Sequence, residues 1–431
     1  MRDETLAIHF GYEPDSTRAV AVPIYQTVAH DFLDASHAAA IFDMEIPGFH
    51  YNRINNPTND VLEKRLCALE QGKAALVTAT GAAAVSITLT TLASSGCNFV
   101  CLPHLYGATY TYLANVLCDY GVETRFVKDP SPEGISKLID AKTRALFCES
   151  IGNPAGDLAD LELLASVAHE EGIPLVVDNT IATPLRLKPI RHGADVVIHS
   201  LTKFVGGHGV AMGGAIIDAG SFDWSRDPDR FPMFNQPDPA YHQTVFAERF
   251  PDFAFVARAR AVGLRNTGAA LSPFNAFLLL EGLETLDVRL ERQERNARAI
   301  ANYLSSHPKV SWLEFSGAPD NPQRALWDRY MPGRCVSIIT FGVEGGEEAA
   351  IRFFDSLRLF KRLVNMGDAK SLVIHPASTT HRQLSPKEKE LAGVRPDMVR
   401  LSIGLEHPED LIEDLDQALE QATKRPVGHA S

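Results

Sequence analysis

The chain has 431 residues, room for two or three domains and too much for a single small binding module. Hydrophobic residues make up 45%, charged residues 22% and aromatic residues 8%, ordinary globular usage that excludes a disordered, collagen-like or coiled-coil chain. Lys and Arg number 41 against 54 Asp and Glu, a formal charge of -13 with no basic block, so a nucleic-acid partner is not expected. Cys67, Cys97, Cys101, Cys118, Cys148 and Cys335 lack paired CxxC spacing, and most lie in apolar runs; reduced thiols and no metal are expected. The N-terminus, MRDETLAIHFGYEPD, has acids where a signal peptide needs a basic flank, and no apolar run approaches the roughly 18 residues of a membrane span. The expectation is a cytoplasmic protein without membrane contact.

In chain order, residues 1–60 show little periodicity, several Pro and Asn, and aromatic residues at 10, 12, 25, 49 and 51; they read as an arm. From Ala74 onward short apolar runs recur at 74–80, 98–104, 122–128, 144–150, 173–179, 194–200 and 213–218, each read as a buried strand. Between several of them, 83–92, 112–120 and 161–171 repeat at helical spacing, with Gly96, Gly121 and Gly172 as stops. Alternation of this kind predicts an α/β fold with a mostly parallel, helix-covered sheet. An irregular excursion at 223–251, dense in Pro, Asp and Phe, precedes long helices over 273–307. Strand-like runs at 335–343, 371–375 and 398–403 then alternate with helices at 347–360 and 408–423, a smaller C-terminal α/β domain. The division expected is an arm (1–60), a large domain (61–265) and a small domain (266–431).

Ligands of parallel sheets sit beyond the carboxyl ends of the strands. One apolar run delivers Asp178; the next ends in His199, Ser200, Leu201, Thr202 and Lys203. A lysine beside an apolar sheet is costly as an ammonium ion and suits imine formation. Pyridoxal phosphate requires an amine for its aldehyde, a carboxylate for its pyridine nitrogen, a stacking surface and phosphate donors. Lys203, Asp178 and Tyr106 are candidates for the first three. Ser200, Thr202 and the helix start Gly81-Ala82-Ala83 are candidates for the last. Singly, each has a plainer reading: a lysine after a strand is ordinarily a solvated strand end, and a glycine before a helix a turn. The glycines at 206, 207, 209, 213 and 214 lack the order of a nucleotide fingerprint and read as room for backbone near the lysine. His199 and His208 flank Lys203, yet structural histidines are the commoner case, and no pair has a helical metal-binding spacing.

The strings YNRINNPTN (51–59), ESIGNPAGD (149–157), VVDNTIATP (176–184), HSLTKFVGGHG (199–209) and RLSIGLE (400–406) resemble, in the same order, the motifs of the Cys/Met-metabolism family of pyridoxal phosphate enzymes. HFGYEPD, PIYQT, the excursion, GAALSPFNAFLLLEGLETL (268–286) and NMGDAKSLVIHPASTTH (365–381) are most similar to the O-acetylhomoserine sulfhydrylase branch, with Asn365 where lyases usually have Ser and Ala108 where methionine γ-lyases have Cys. The resemblance implies an aspartate aminotransferase-like, fold type I transferase. It implies Lys203 as the Schiff-base lysine and proton shuttle, Asp178 as the pyridinium partner and Tyr106 as the stacking ring and a second acid/base. Gly81, Ala82, Ser200 and Thr202 become phosphate contacts, with Asn153 near the ring. Tyr51 and Arg53 match a pair that reaches the phosphate of a neighbouring subunit's cofactor, which implies a homotetramer built as a dimer of dimers. Arg400 matches the residue that holds the substrate α-carboxylate, with Asn365 and Ser371 nearby. Thr80-Gly81-Ala82 departs from the family's usual Ser-Gly-Gln or Ser-Gly-Met, losing any side-chain phosphate contact from the third position. The implied reaction is γ-replacement on O-acetylhomoserine by sulfide or methanethiol, giving homocysteine or methionine and acetate. The alternatives are γ-elimination and use of O-succinylhomoserine.

Overall fold

The computed structural model describes residues 1–153, 156–380, 382, 389 and 393–422. They fall into two compact units. The first comprises Met1–Leu102, Ala108–Ser150 and Asp160–Thr285; the second comprises Pro103–Gly107, Ile151–Ala159 and the chain from Leu286 onward.

Seven strands organise the first unit: β1 (Ala74–Thr78), β2 (Asn98–Cys101), β3 (Glu123–Phe126), β4 (Thr143–Glu149), β5 (Leu175–Asp178), β6 (Val196–His199) and β7 (Gly214–Asp218). Their order in the sheet is β1-β7-β6-β5-β4-β2-β3. Neighbours from β3 through β6 are parallel, and β7 alone runs against the strands beside it. The mostly parallel α/β sheet expected from the alternation is thus formed. Leu175–Val177 and Val196–Ile198 are wholly buried, as strands covered on both faces must be, and this explains their unbroken apolar runs. The reversal of β7 has a local cause. No helix lies between His199 and Gly214, and without a helical crossover the chain returns antiparallel.

Helices bring further residues to the sheet. α1 (Asp3–His9) and α2 (Ala35–Phe42) occupy the N-terminal stretch, α3 (Pro57–Glu70) leads into β1, and α4 (Gly81–Leu92) follows it. α3 starts with Pro57 at its first position and the Asn56 side chain accepting the Thr58 N–H. α1 is tied down within the unit: Arg65 donates to the carbonyls of Ala7 and Phe10, and the buried Lys188 ammonium lies 3.0 Å from Asp3. Val20 and Leu33, farther along the same stretch, are 90% and 86% exposed. The helix expected at 112–120 begins earlier, at Gly107, and contains a π-helical turn, Tyr112–Val116. The irregular excursion closes around buried Trp224, Phe231, Phe234 and Phe246, with the Trp224 ring stacked 5.6 Å from Phe255.

The second unit has a five-stranded sheet in the order β10-β11-β12-β9-β8, formed by β8 (Val310–Phe315), β9 (Ile338–Val343), β10 (Lys361–Arg362), β11 (Leu372–Ile374) and β12 (Met398–Ser402). β9, β11 and β12 coincide with the three expected runs, whereas β8 and β10 are additional. β8 is a partly exposed edge strand with a register shift between Val310 and Trp312, and two-residue β10 is exposed; neither presents an apolar run. The C-terminal helix Pro408–Ala422 buries Leu411, Leu415, Ala418 and Leu419 and exposes most of its acids. Asp414 is the exception, buried and accepting the backbone N–H groups of Arg358, Leu359 and Phe360.

Close packing leaves a clear test in the first unit. A Cβ at Gly282, in the helix Pro273–Glu284, would lie 2.5 Å from the carbonyl oxygens of Val205 and Gly206, in the loop that carries Lys203. Gly282→Ala is expected to lower stability by about 1–3 kcal/mol, read as a lower thermal midpoint.

Candidate active site

In the first unit the carboxyl rim of the sheet gathers three structures. β1 leads through Thr80 into α4, whose N-cap Oγ1 accepts the Ala83 N–H at 3.0 Å. The N–H groups of Gly81 and Ala82 belong to a first turn without intrahelical acceptors, a natural anion cradle. A Cβ at Gly81 would fall 2.5 Å from Ser200 Cβ and 2.6 Å from its Oγ, so only glycine lets the Ser200 side chain lie against the helix start.

β5 supplies the second element. Asp178 Oδ1 accepts both the N–H (3.0 Å) and the hydroxyl (2.5 Å) of Thr180, whose Oγ1 in turn accepts the Ser200 N–H at 2.8 Å. The acid and the phosphate candidate are therefore fixed to one another. Burial raises the Asp178 carboxyl above its usual value, while the Thr180 hydrogen bonds and the His199 charge draw it back down.

The loop after β6 supplies the third. Lys203 is half-buried; its N–H meets the Ser200 carbonyl, and its own carbonyl accepts the Gly207 N–H at 2.8 Å. Gly207 has a φ of 66°, which makes the tight return after the lysine available. Thr202 Oγ1 is engaged with Gly213, accepting its N–H at 3.1 Å and donating to its carbonyl at 3.2 Å. Tyr51 bridges to Ala29; the Arg53 guanidinium lies 5.2 Å from the Tyr51 ring centroid and donates to the Arg265 carbonyl. His208 is exposed and contacts the Gly206 carbonyl.

Behind the rim lies a polar group of which the sequence analysis names His199 alone. His199 Nε2 is 2.6 Å from Glu70 Oε1, which also accepts from Asn179 Nδ2 at 3.0 Å; Asn179 Oδ1 accepts the Ser150 hydroxyl at 2.8 Å. Glu70, Asn179 and Ser150 are wholly buried and His199 is 1% exposed. One signal for Glu70 exists: an acid in the last turn of a helix opposes the helix dipole and calls for a reason. Thr180 had one too, since a hydroxyl two residues after an Asp closes a local turn.

The second unit carries the remaining candidates. Arg400 lies on β12 opposite Ile374 and Thr340 and is 7% exposed. Its Nη1 donates to Asn153 Oδ1 at 2.7 Å, and among the described residues no carboxylate pairs with it. Burial brings its guanidinium down to about 10. Such a buried cation with a neutral partner fits an incoming carboxylate. Asn365 is half-buried, and Gly367 nearby donates its N–H to Ser402 Oγ at 2.9 Å. Ser371 is buried, its hydroxyl donating to Glu406 and accepting the Gly404 N–H, each at 2.9 Å, so it braces the turn after β12. Tyr106 is 44% exposed. Two residues before it, His104 Nδ1 meets Asp157 Oδ2 at 2.8 Å, joining the segment of Tyr106 to that of Asn153. No group of three or more His, Cys, Asp or Glu that could hold a metal occurs among the described residues, and no helix among them is long and apolar enough to cross a membrane.

The glycine cradle, the hydroxyl of Ser200, the lysine and the partly desolvated acid are together the donor set that pyridoxal phosphate requires. The family model described as Cys/Met metabolism PLP-dependent enzyme matches residues 4–420. The chain belongs to this family. Among its relatives, O-acetyl-L-homoserine sulfhydrylase 1 of Thermus thermophilus is 49% identical over 97% of this chain and 100% of its own. Homocysteine synthase of Schizosaccharomyces pombe is 45% identical over 97% and 98%. A solved chain from Campylobacter jejuni, assigned as an O-acetylhomoserine (thiol)-lyase and carrying a pyridoxyl-lysine phosphate, superposes with a TM-score of 0.94 at 41% identity, covering 97% of this chain and 100% of that one. This member of the Cys/Met-metabolism family is accordingly a PLP-dependent enzyme of the type I fold.

Two outcomes follow for the family member described here. Gly81→Ala is expected to weaken retention of pyridoxal phosphate about tenfold, measured by equilibrium dialysis, because the methyl group displaces Ser200. The Asp157 hydrogen bond, followed by its charge, raises the His104 pKa against the opposing effect of burial. That stabilisation is present below the unfolded histidine value of about 6.5 and is lost as pH rises through the higher folded value. Asp157→Asn is therefore expected to depress the melting temperature more at pH 6 than at pH 9.

Proposed function

We propose that the protein catalyses replacement at Cγ of O-acetyl-L-homoserine by sulfide, forming L-homocysteine and acetate. The observation that carries this reading is Arg400, a buried guanidinium whose partner among the described residues is the amide of Asn153. It suits the α-carboxylate of an amino acid, in a chain whose other unit bears the Asp178 and Lys203 rim. The names of the sulfhydrylase relatives supply the ester and the sulfur nucleophile.

Gly81, Ala82 and Ser200 hold the cofactor phosphate, Thr202 shapes the loop beside it, and Asp178 takes the pyridine nitrogen. Bound in this way, pyridoxal phosphate supplies an electron sink for charge developing on the substrate carbons. Arg400 and Asn153 orient the carboxylate, with Asn365 beside them and Ser371 bracing the neighbouring turn. Lys203, first the anchoring amine, then takes the Cα proton and later returns it. Tyr106 serves as stacking ring and as second acid/base toward the leaving group. Loss of a Cβ proton accompanies breakage of the Cγ–O bond, whose electron pair leaves on acetate; the C–S bond then forms at Cγ from hydrosulfide, and a proton returns to Cβ.

Tyr51 and Arg53 reach the cofactor phosphate of a neighbouring copy in a homotetramer; the exposure of Val20 and Leu33 in the single chain supports an assembly through this stretch. The compartment we propose is the cytoplasm.

Purified protein given O-acetylhomoserine and sulfide is expected to release homocysteine and acetate in equal amounts. Mainly 2-oxobutanoate and ammonia would assign it to γ-elimination instead, and a matched series with methanethiol and O-succinylhomoserine reads its preferences. Arg400→Ala is expected to reduce kcat/KM about a hundredfold or more, and Lys203→Ala to abolish the borohydride-sensitive visible band.

A further inference from the structure

Asn153, the residue that meets Arg400, follows directly on a short paired stem in the second unit. Ile151 bridges to Leu158, the Gly152 N–H reaches the Asp157 carbonyl at 2.8 Å, and the Gly156 N–H reaches the Gly152 carbonyl at 2.9 Å. With Gly156 at a φ of 76°, Gly156 and Asp157 together face the single residue Gly152, which makes the end of the stem a glycine bulge. The Asp157 side chain lies over Gly152 on the face where a Cβ would point. That Cβ would fall 3.1 Å from Asp157 Cγ and 2.9 Å from His104 Cβ, so a glycine at 152 is what lets both side chains close over the stem. Asp157 Oδ1 is buried without a hydrogen-bond partner among the described residues, while Oδ2 meets His104 Nδ1 at 2.8 Å.

The two sides of the Arg400 contact are fixed very differently. Arg400 sits on β12, paired with β9 on one side and β11 on the other. The stem has lighter support: the Leu158 N–H and carbonyl engage the Gln323 amide at 2.8 and 2.9 Å, on the far side of Gly152 from Asn153. Nearer Asn153, the side-chain contact among the described residues is that of His104 with Asp157. A hydrogen bond weakens steeply once misaligned, so the 2.7 Å contact of Arg400 with Asn153 depends on where Gly152 is held. We propose that His104 and Asp157 form a lock over Gly152 that sets the Asn153 amide against Arg400 and so determines how tightly the substrate's α-carboxylate is held. Both are positioning residues, acting through the stem. The charges around them agree with a pair in this place. Burial raises the Glu314 carboxyl on β8, Arg395 at 3.7 Å lowers it, and the Asp157 charge raises it again; a cationic imidazole beside Asp157 offsets that repulsion.

The proposal rests on the reading in which Arg400 takes the α-carboxylate, and the test separates the two. Binding to the holoenzyme is followed through its visible band with two probes: L-norvaline, an amino acid without a leaving group, and butylamine, the same skeleton without the carboxylate. Wild type is expected to prefer norvaline and Arg400→Ala to lose that preference; if the preference is absent from wild type or survives in Arg400→Ala, the Arg400 assignment itself fails. His104→Phe, which keeps a ring over Gly152 and removes the hydrogen bond, and Asp157→Ala are each expected to weaken norvaline about tenfold and to leave butylamine within about twofold. The double variant is expected to be no weaker than the weaker single one, because the two side chains act as one device. His104→Asn, whose Nδ2 takes the place of Nδ1, is expected to recover most of the affinity. Norvaline binding as in wild type in folded, loaded His104→Phe overturns the proposal, and so does an equal loss for both probes, the mark of general loosening. Should His104→Phe or Asp157→Ala fail to fold, the other variant is read in the same way. His104→Asn binding norvaline about tenfold more weakly than wild type also overturns the proposal.

Discussion

A carboxylate fixed at the end of a parallel strand is the constraint on which the first unit turns. Asp178 is drawn toward its neutral form by burial, and hydrogen bonds to a charged group, each worth about 1.5–3 kcal/mol, are what oppose this. Thr180 supplies two of them and passes its own hydroxyl to the Ser200 backbone. The acid, the hydroxyl against the helix start and the loop of the lysine are linked within a few bonds. A fault in any one of them would be felt by the others.

The second unit solves the opposite problem. Arg400 is a cation set in a β-strand with, among the described residues, an amide oxygen as its partner. Leaving a buried guanidinium without an anion is unfavourable, and the sheet around it, packed through Phe341, Val399 and Leu401, supplies the stability that tolerates it. Each unit thus keeps one ionisable group away from water, the Asp178 carboxyl in the first and the Arg400 guanidinium in the second.

The legibility of these features in the sequence follows from how they are built. β5 and β6 are short apolar runs with a sharp polar end, so Asp178 and Lys203 could be read as rim residues from local pattern alone. The parallel sheet was legible for the same reason, though the reversal of β7 was not, since direction depends on what joins two strands rather than on either strand. β8 and β10 escaped because exposed edges carry no apolar signature. Arg400, Asn153 and Asn365 were reachable only through resemblance, because no spacing relates residues so far apart in the chain. Glu70 carried one faint signal, an acid set against the helix dipole, but at the end of an otherwise charged helix it looks like any solvated acid, and the packing of α3 is what shows that it meets His199. Ser371 was read beside the substrate, and its hydroxyl is found occupied by Glu406 and Gly404.

The contact between Gly282 and the carbonyls of Val205 and Gly206 bears on how such chains diverge. The helix and the lysine loop meet backbone to backbone, with no side chain between them to absorb an altered volume. A change on either side is tolerable only alongside a compensating change on the other, so these two segments, some seventy-five positions apart, are bound to drift through evolutionary time as a single unit.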